Sequence, residues 1–573
     1  MADAVNHDVG VARAGVQHDM SPLLAAIVSL LMMYPWLNPM APGPVPSVFP
    51  WLLSALLVCF AVIASASHGP RPAGSLRFGL AVVCAFATTL AWAALPRHAV
   101  ASPYDWLALV GGLWLVALGG LLAWPSGGAT NAANYPWAYW CVLWPWLAAG
   151  LVSCVLGLLQ YTNHALSLAP WVNWAPQGEA FANLRQRNQF ASLSNIALAA
   201  LLAWCVLPRR KVERARGAKL AMAAALALPA IGNAASSSRT GLLQLLCICA
   251  SVLVWRSDWR VGLWLAWTLA CYAIAVLSLP WLIGLDPAAH GMFSRLRTGD
   301  ALCSSRLTLW HNVLDLIAQR PWLGWGWGEL DYAHYMTLYD GPRFCDILDN
   351  AHNLPLHLAV ELGVPAAVLF CAACLWAVIA QRPWRETDPM RQLAWMVLAV
   401  IAAHSLLEYP LWYGPFQLAT GLCLGMLWRG RPAPAGARGP ALWPVLLAML
   451  MIGACAYAAW DYRRISQIYL PPAQRLPQYR GDTMGQIQRS WLFQRQVRFA
   501  ELSISSVTPE NAAHLHALAT ELLHFSPEAR VVEKLLDSAR LLGLDEEVRE
   551  HAARFEAAFP KAYAAWAARS GFP

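Results

Sequence analysis

Charged residues are scarce in this chain. Asp, Glu, Lys and Arg make up 13% of its 573 residues, where a soluble globular protein carries roughly 25%. So few charges cannot cover the surface of one or two soluble domains. That excludes an ordinary water-soluble enzyme, a disordered protein and a nucleic-acid binder. The net charge of +8 is small for the length, and basic loops on one membrane face account for it. No Walker motif, dinucleotide fingerprint or nucleotide-binding domain is present, so ATP-driven transport by this chain alone has no support. Cys371 and Cys374 have CxxC spacing, but no second pair completes a zinc-type set. Asp346 and Asp349 likewise form no three-ligand metal pattern. No internal repeat period is visible. Residues 1–20 are polar and no cleavage site follows the first apolar run, so no cleavable signal peptide is expected.

What is abundant is apolar. Hydrophobic residues reach 58%, with 31 tryptophans. Helices facing lipid need runs of about 20 apolar residues. Thirteen such segments are expected, at 22–38, 51–67, 78–95, 105–123, 138–159, 190–207, 219–234, 241–255, 261–282, 354–380, 393–408, 412–428 and 441–460. The weakest is 219–234. The fold class is therefore an all-α polytopic membrane protein with about 13 transmembrane helices. Residues 1–21 form an inner N-terminal segment. Residues 22–460 form a membrane core that includes a large outer loop, 283–353. Residues 461–573 hold 14 Lys and Arg and 13 Asp and Glu, and read as an outer helical region with helices near 509–524, 527–542 and 546–567.

Orientation follows from the basic residues. With the N-terminus in the cytoplasm, seventeen of them fall in short inner segments, including the run from Arg209 to Lys219. Nine fall on the outer face, five of those in the large loop. This is the positive-inside bias. Thirteen crossings then place the tail outside, although one miscounted span reverses it. Cys303 and Cys345 both lie in the outer loop, where a disulfide is possible if that side is oxidising.

The chemistry-bearing residues gather on that same outer side. His352 stands at the mouth of the tenth span, followed by Asn353, Pro355, His357 and Glu361. A histidine there can act as a general base near neutral pH, or serve as a helix cap. Its dense polar surroundings favour function. Arg185 and Arg187 precede the sixth span, Arg239 sits in Ser-Ser-Ser-Arg-Thr-Gly (236–241), and Arg306 lies in the large loop. Guanidinium groups suit a phosphate or diphosphate, and an arginine at the hydrocarbon edge is costly unless paired or used. His404 and Glu408 are four apart, with Tyr409 and Tyr413 at the following turn. Glu408 is open to pairing with an arginine or bonding to a sugar.

Five segments carry a family resemblance. They are Asn-Leu-Arg-Gln-Arg-Asn-Gln-Phe (183–190), Ser-Ser-Arg-Thr-Gly (237–241), Gly-Trp-Gly-Trp-Gly (324–328), His-Asn-Leu-Pro-Leu-His-Leu-Ala-Val-Glu-Leu-Gly (352–363) and His-Ser-Leu-Leu-Glu-Tyr-Pro-Leu-Trp-Tyr (404–413). Together they resemble the bacterial O-antigen ligase and polymerase superfamily. Glu-Tyr-Pro-Leu-Trp-Tyr and the long tail make the chain most similar to the pilin-type protein O-oligosaccharyltransferases. Pro-Trp-Leu-Asn-Pro (35–39) resembles the family's turn after its first span.

The resemblance implies a glycosyltransferase of the bacterial inner membrane with its site facing the periplasm. It implies an undecaprenyl-diphosphate-linked oligosaccharide as donor and a pilin-like or other periplasmic protein as acceptor. By the same resemblance, His352 is the catalytic residue. Arg187 and Arg239 face the diphosphate, with Arg185 the alternative to Arg187. Tyr409 or Tyr413 is a functional aromatic, and the glycine-tryptophan loop lies over the cavity. Glu408, Asn353 and His404 are assigned to the acceptor side or cavity. No cofactor and no metal are expected. Rival readings are transfer to lipid A-core, polymerisation of the glycan, and a transporter of polyprenyl-linked glycan. A transporter should show paired charges deep in several spans and internal pseudo-symmetry, whereas here the ionisable residues gather at one mouth.

Overall fold

A computed structural model describes residues 22–66, 84, 87–89, 91–94, 102–123, 142–206, 216–298, 302–428 and 442–572. Among them the secondary structure is helical throughout. The apolar runs become α1 (Pro22–Leu37), α2 (Val48–Ala66), α3 (Pro103–Leu122), α4 (Trp144–Tyr161), α5 (Arg187–Val206), α6 (Arg216–Ser236), α7 (Arg239–Val254) and α8 (Trp259–Leu282). The expected span at 78–95 is described only at residues 84, 87–89 and 91–94, which are helical apart from Ala94; residues 1–21 lie outside the described residues. The weak segment at 219–234 is a full helix, α6. Among the described residues seven helices are long and apolar enough to cross a membrane, and shorter apolar helices accompany them. The molecule is an all-α polytopic membrane protein.

The large loop is itself helical in part. It holds α9 (Met292–Thr298), α10 (Arg306–Gln319) and α11 (Leu330–Met336). The expected tenth span, 354–380, is broken in two: α12 (Leu354–Leu362) and α13 (Val364–Gln381). The cause lies at the junction. Gly363 takes φ +88, a conformation a side chain disfavours, and Pro365 offers no N–H to bridge the turns. The glycine-tryptophan loop fills the gap. Trp325 N–H donates to Val360 O at 2.8 Å and Gly326 N–H to Glu361 O at 3.0 Å. Gly324 has φ +71, and a Cβ there would lie 2.4 Å from the Glu361 carbonyl. Only glycine allows this approach, so the motif braces the end of α12.

The remaining core helices are α14 (Pro389–Ser405), α15 (Gly414–Leu427) and α16 (Leu442–Ile465). α16 runs past the expected end at 460. α5 is the axis of the bundle, with 89% of its apolar window buried, while α13 is peripheral at 6%. α15 meets α3 at Gly421 and Gly425, where a Cβ would fall 2.2 Å from Val116 O and 2.1 Å from Gly120 O. This is the small-residue packing that brings spans close in lipid. A buried polar cluster ties α5 to its neighbours. Ser192 Oγ lies 2.9 Å from His404 Nδ1 and accepts from Gln244 Nε2 at 2.6 Å, and Asn195 donates to Gln244 Oε1 at 3.0 Å.

The tail folds as α17 (Thr483–Ile487), α18 (Gln494–Ile504), α19 (Ala512–Leu523), α20 (Ala529–Leu541), α21 (Asp545–Ala558) and α22 (Pro560–Ser570). The single helix expected at 546–567 is divided at Pro560, which has no amide hydrogen to continue it. Tyr335 of the large loop sits in the tail's own apolar core. Its hydroxyl is 3.0 Å from His551 Nδ1, His524 Nδ1 is 2.6 Å from Glu329, and Arg495 pairs with Asp105 at 2.9 Å. The tail and the large loop therefore share one face of the membrane, whatever the parity of the spans.

Cys303 and Cys345 form a disulfide spanning 42 positions. It joins the segment leading into α10 to the segment leading into α12. Replacing both cysteines by serine is expected to release up to about 4 kcal/mol of loop-closure constraint. The check is limited proteolysis between 303 and 345 in the full-length protein. Unchanged digestion would show that the bridge contributes nothing there.

Candidate active site

Four helices begin at one place: α5, α7, α10 and α12. Each start has a local cause. Ser238 caps α7, accepting from Gly241 N–H at 2.9 Å. Ser305 caps α10, accepting from Thr308 N–H at 3.1 Å. Asn353 caps α12, accepting from Leu356 N–H at 3.1 Å, with Pro355 in the first turn. Left-handed residues precede three of them: Arg185 at φ +62, Ser237 at φ +50 and His352 at φ +50. Such conformations cost non-glycine residues of order 1–3 kcal/mol and persist only where surroundings over-determine them.

The surroundings of His352 do that. Its N–H donates to Asn350 Oδ1 at 2.9 Å. Trp310 holds the Ala351 carbonyl at 3.1 Å, and Asn353 Nδ2 donates to Leu406 O at 3.1 Å. The last contact docks the start of α12 on the 404–413 turn. His352 Nδ1 then lies 2.8 Å from Glu408 Oε2.

Glu408 is the hub of the cluster. Its side chain is only 5% exposed. Oε1 accepts from Arg306 and from Asn188 Nδ2 at 3.1 Å. Oε2 faces His352 and accepts from Gln186 Nε2 at 3.3 Å. A carboxylate has about four lone-pair sites, and here all four have donors. Burial alone would raise its pKa. The His352 hydrogen bond and the charges of His352 and Arg306 outweigh burial and hold the carboxyl below its ordinary value. A depressed pKa stabilises the fold above the carboxyl's ordinary pKa, and the contribution is lost as pH falls through the depressed value. Thermal stability of the wild type is therefore expected to fall below about pH 4, and Glu408→Gln to flatten that slope. Identical acid slopes would count against the assignment.

In the neutral imidazole, an Nδ1–H facing the Glu408 carboxylate leaves the lone pair of His352 on Nε2. Tyr409 meets the imidazole edge-on at 5.0 Å and stacks on Tyr413 at 6.1 Å. Burial pushes both phenols above their ordinary pKa, so both stay neutral.

Arg187 and Arg239 are the first residues of α5 and α7. Arg187 pairs with Glu179 at 3.3 Å, and Arg239 is exposed. Their sequence neighbours join the cluster: Ser238 Oγ donates to Asn188 Oδ1 at 2.6 Å, and Asn188 reaches Glu408. The guanidinium of Arg185 binds the Pro39 carbonyl, and Asn183 Nδ2 donates to Leu37 O at 2.8 Å. Pro35 lies inside the last turn of α1, not in a turn after it, and Leu37 and Pro39 at this helix end anchor the 183–185 segment. His404 lies inside the bundle, fully buried on Ser192. Asn353 acts as cap and tie.

The structure thus joins His352, Glu408, Tyr409, Tyr413 and Asn353 in one contact set. Sequence reasoning noted Arg306 but gave it no partner, and left Gln186, Asn188 and Ser238 without roles. The signal was present: a Ser-Arg pair opening a helix, and three amides flanking Arg187. Chemically the arrangement offers an oriented base beside positive helix ends and arginines, which suits an anion. The Trp327 ring stacks at 6.2 Å on Trp412, which meets His357 at 4.9 Å. His357 in turn is 3.4 Å from Glu361. Among the described residues no group of three His, Cys, Asp or Glu is placed to hold a metal ion.

Comparison with known proteins agrees in order along the chain. Residues 180–204 match the protein glycosylation ligase family, 222–371 the O-antigen ligase family, and 392–570 the C-terminal part of the virulence factor membrane-bound polymerases. A general O-oligosaccharyltransferase of Acinetobacter baylyi is 25% identical over 197 residues, 30% of this chain and 34% of that protein. A ComP-specific O-oligosaccharyltransferase of the same organism is 27% identical over 161 residues, 28% of each. The aligned stretch spans about a third of the length of these curated relatives. The glycosylation-ligase match covers the Arg187 segment, and the O-antigen ligase match covers Arg239, Arg306 and His352. Over these segments the chain is similar to the O-antigen ligase family and, around Arg187, to the protein glycosylation ligases.

Proposed function

We propose that this protein transfers a preassembled glycan from undecaprenyl diphosphate to a Ser or Thr hydroxyl of a periplasmic or pilin-like protein. It does so in the bacterial inner membrane, with the site facing the periplasm. One observation carries the reading: the His352 imidazole is held through Nδ1 by a fully satisfied, buried carboxylate, among four helix N-termini. The loop disulfide suits an oxidising compartment, and the basic residues follow the positive-inside pattern.

In this mechanism the acceptor oxygen attacks the anomeric carbon and His352 Nε2 takes its proton. The carbon–oxygen bond to the diphosphate breaks, and configuration inverts. The leaving diphosphate gains negative charge, which Arg187 and Arg239 and the helix ends stabilise where water is scarce. Glu408 orients the imidazole and stabilises its charged form. Tyr409 fixes the other edge of the ring.

The test is purified protein with lipid-linked oligosaccharide, offered a pilin-like protein and lipid A-core in parallel. Mass gain on protein Ser or Thr supports the proposal. Transfer to lipid alone, or lengthening of the glycan, selects the ligase or polymerase reading. Transfer lost in EDTA and restored by one divalent ion would show that the displacement depends on metal. Arg239→Ala is expected to lower kcat/KM for the donor about 10–100-fold, the worth of a hydrogen bond to a charged group. Full activity would remove Arg239 from the diphosphate clamp.

A further inference from the structure

The C-terminal region exposes a tryptophan that its fold takes trouble to present. Asp461, near the end of α16, is fully buried. An uncompensated carboxylate there would be costly. It accepts from Ser490 Oγ at 2.7 Å and Leu492 N–H at 3.2 Å, and pairs with Arg464 at 3.3 Å. Arg464 also donates to Gln486 O at 3.1 Å. Leu492 and Phe493 are buried. With both flanks pinned, Trp491 points outward and is 62% exposed.

Its neighbours say what it points into. The Trp491 ring lies 6.2 Å from Tyr457, which lies 5.7 Å from Trp460. Leu446, Leu450, Tyr457 and Trp460 are all exposed and fall within one narrow stripe of α16 at 3.6 residues per turn. α16 belongs to a candidate membrane span, so this uncovered stripe is its lipid-facing side. The stripe passes from leucine to aromatic rings at the helix end, where the Arg464 guanidinium sits 4.5 Å from the Trp460 ring. Aromatic rings with a nearby cation mark the headgroup level of a bilayer. Trp491, from a chain segment beyond the span, extends that belt.

We infer that the turn at 490–492 is a membrane-interface anchor: Trp491 inserts beside Tyr457 and Trp460 at the headgroup boundary. It holds the tail against the bilayer on the face that carries His352. The partner is the phospholipid interface, because the patch continues a lipid-facing surface.

The experiment uses the full-length protein in nanodiscs of phosphatidylethanolamine and phosphatidylglycerol. A photo-crosslinking residue, p-benzoylphenylalanine, replaces Trp491, or in a second sample Leu541, which is also exposed on the tail. Both side chains lie on the protein surface, so the buried residues around them stay in place. After illumination, mass spectrometry reads the adducts. Phospholipid adducts at 491 and their loss at 541 are expected. Adducts at 491 to a second protein copy, no lipid adduct there, or equal lipid yield at both positions would overturn the inference.

Discussion

Replacing His352 with alanine is expected to lower glycan transfer about 10²–10⁴-fold, the usual worth of a positioned general base. The loss should fall on kcat. The donor's diphosphate is assigned to the arginines at the starts of α5 and α7, which the substitution leaves in place, so donor KM should change little. The measurement is single-turnover transfer from lipid-linked glycan by purified protein. Stability is the necessary control, because His352 holds a left-handed conformation at φ +50 and bonds Glu408. A His352→Asn variant tolerates that conformation better and keeps a polar group near Glu408, but supplies no base. Both variants should be equally inactive. Full transfer by either would sink the role given to His352.

Glu408→Gln should produce the second-largest loss. The two residues are nearly the same size, so packing survives. The charge does not, and one carboxylate oxygen becomes an NH₂ facing donors. Each oxygen now accepts two hydrogen bonds, from Arg306 and Asn188 on one side and His352 and Gln186 on the other. An amide can satisfy only one of those pairs. If its nitrogen faces His352, Nδ1 must lose its proton to accept, and Nε2 then carries the hydrogen and cannot act as base. If it faces Arg306, a guanidinium meets a donor. Removing the carboxylate that orients a catalytic histidine drops kcat by up to about 10⁴ in serine proteases. A fall of about 10²–10⁴ is expected here, with donor KM little changed. Unchanged kcat would show that Glu408 is structural only. A broad rise in KM would point instead to a collapsed arginine cluster.

Much of this protein is legible because the bilayer makes it so. A span needs length and apolarity, both local properties. Twelve of the thirteen expected segments coincide with described helices, α6 among them despite its weak pattern. The group of His352, Glu408 and the tyrosines is visible for the same reason: polar residues cluster at the ends of apolar runs. The interruptions were harder. Gly363 and Pro365 stand in an otherwise apolar run, and only the glycine-tryptophan loop lodged between α12 and α13 shows why that run must break.

The sequence by itself determined the all-helical membrane class, the order of the apolar helices and the helix ends at which the chemistry gathers. Hydrophobic run length and charge bias are properties of neighbouring residues. Tertiary structure alone decided who meets whom. Glu408 joins residues 56, 102 and 220 positions away in the chain. No periodicity encodes those pairings. They exist because four helices start at one point and the loop between them is bridged by a disulfide. The same long-range packing places the tail on the face of the large loop, where counting spans left its side dependent on a single helix.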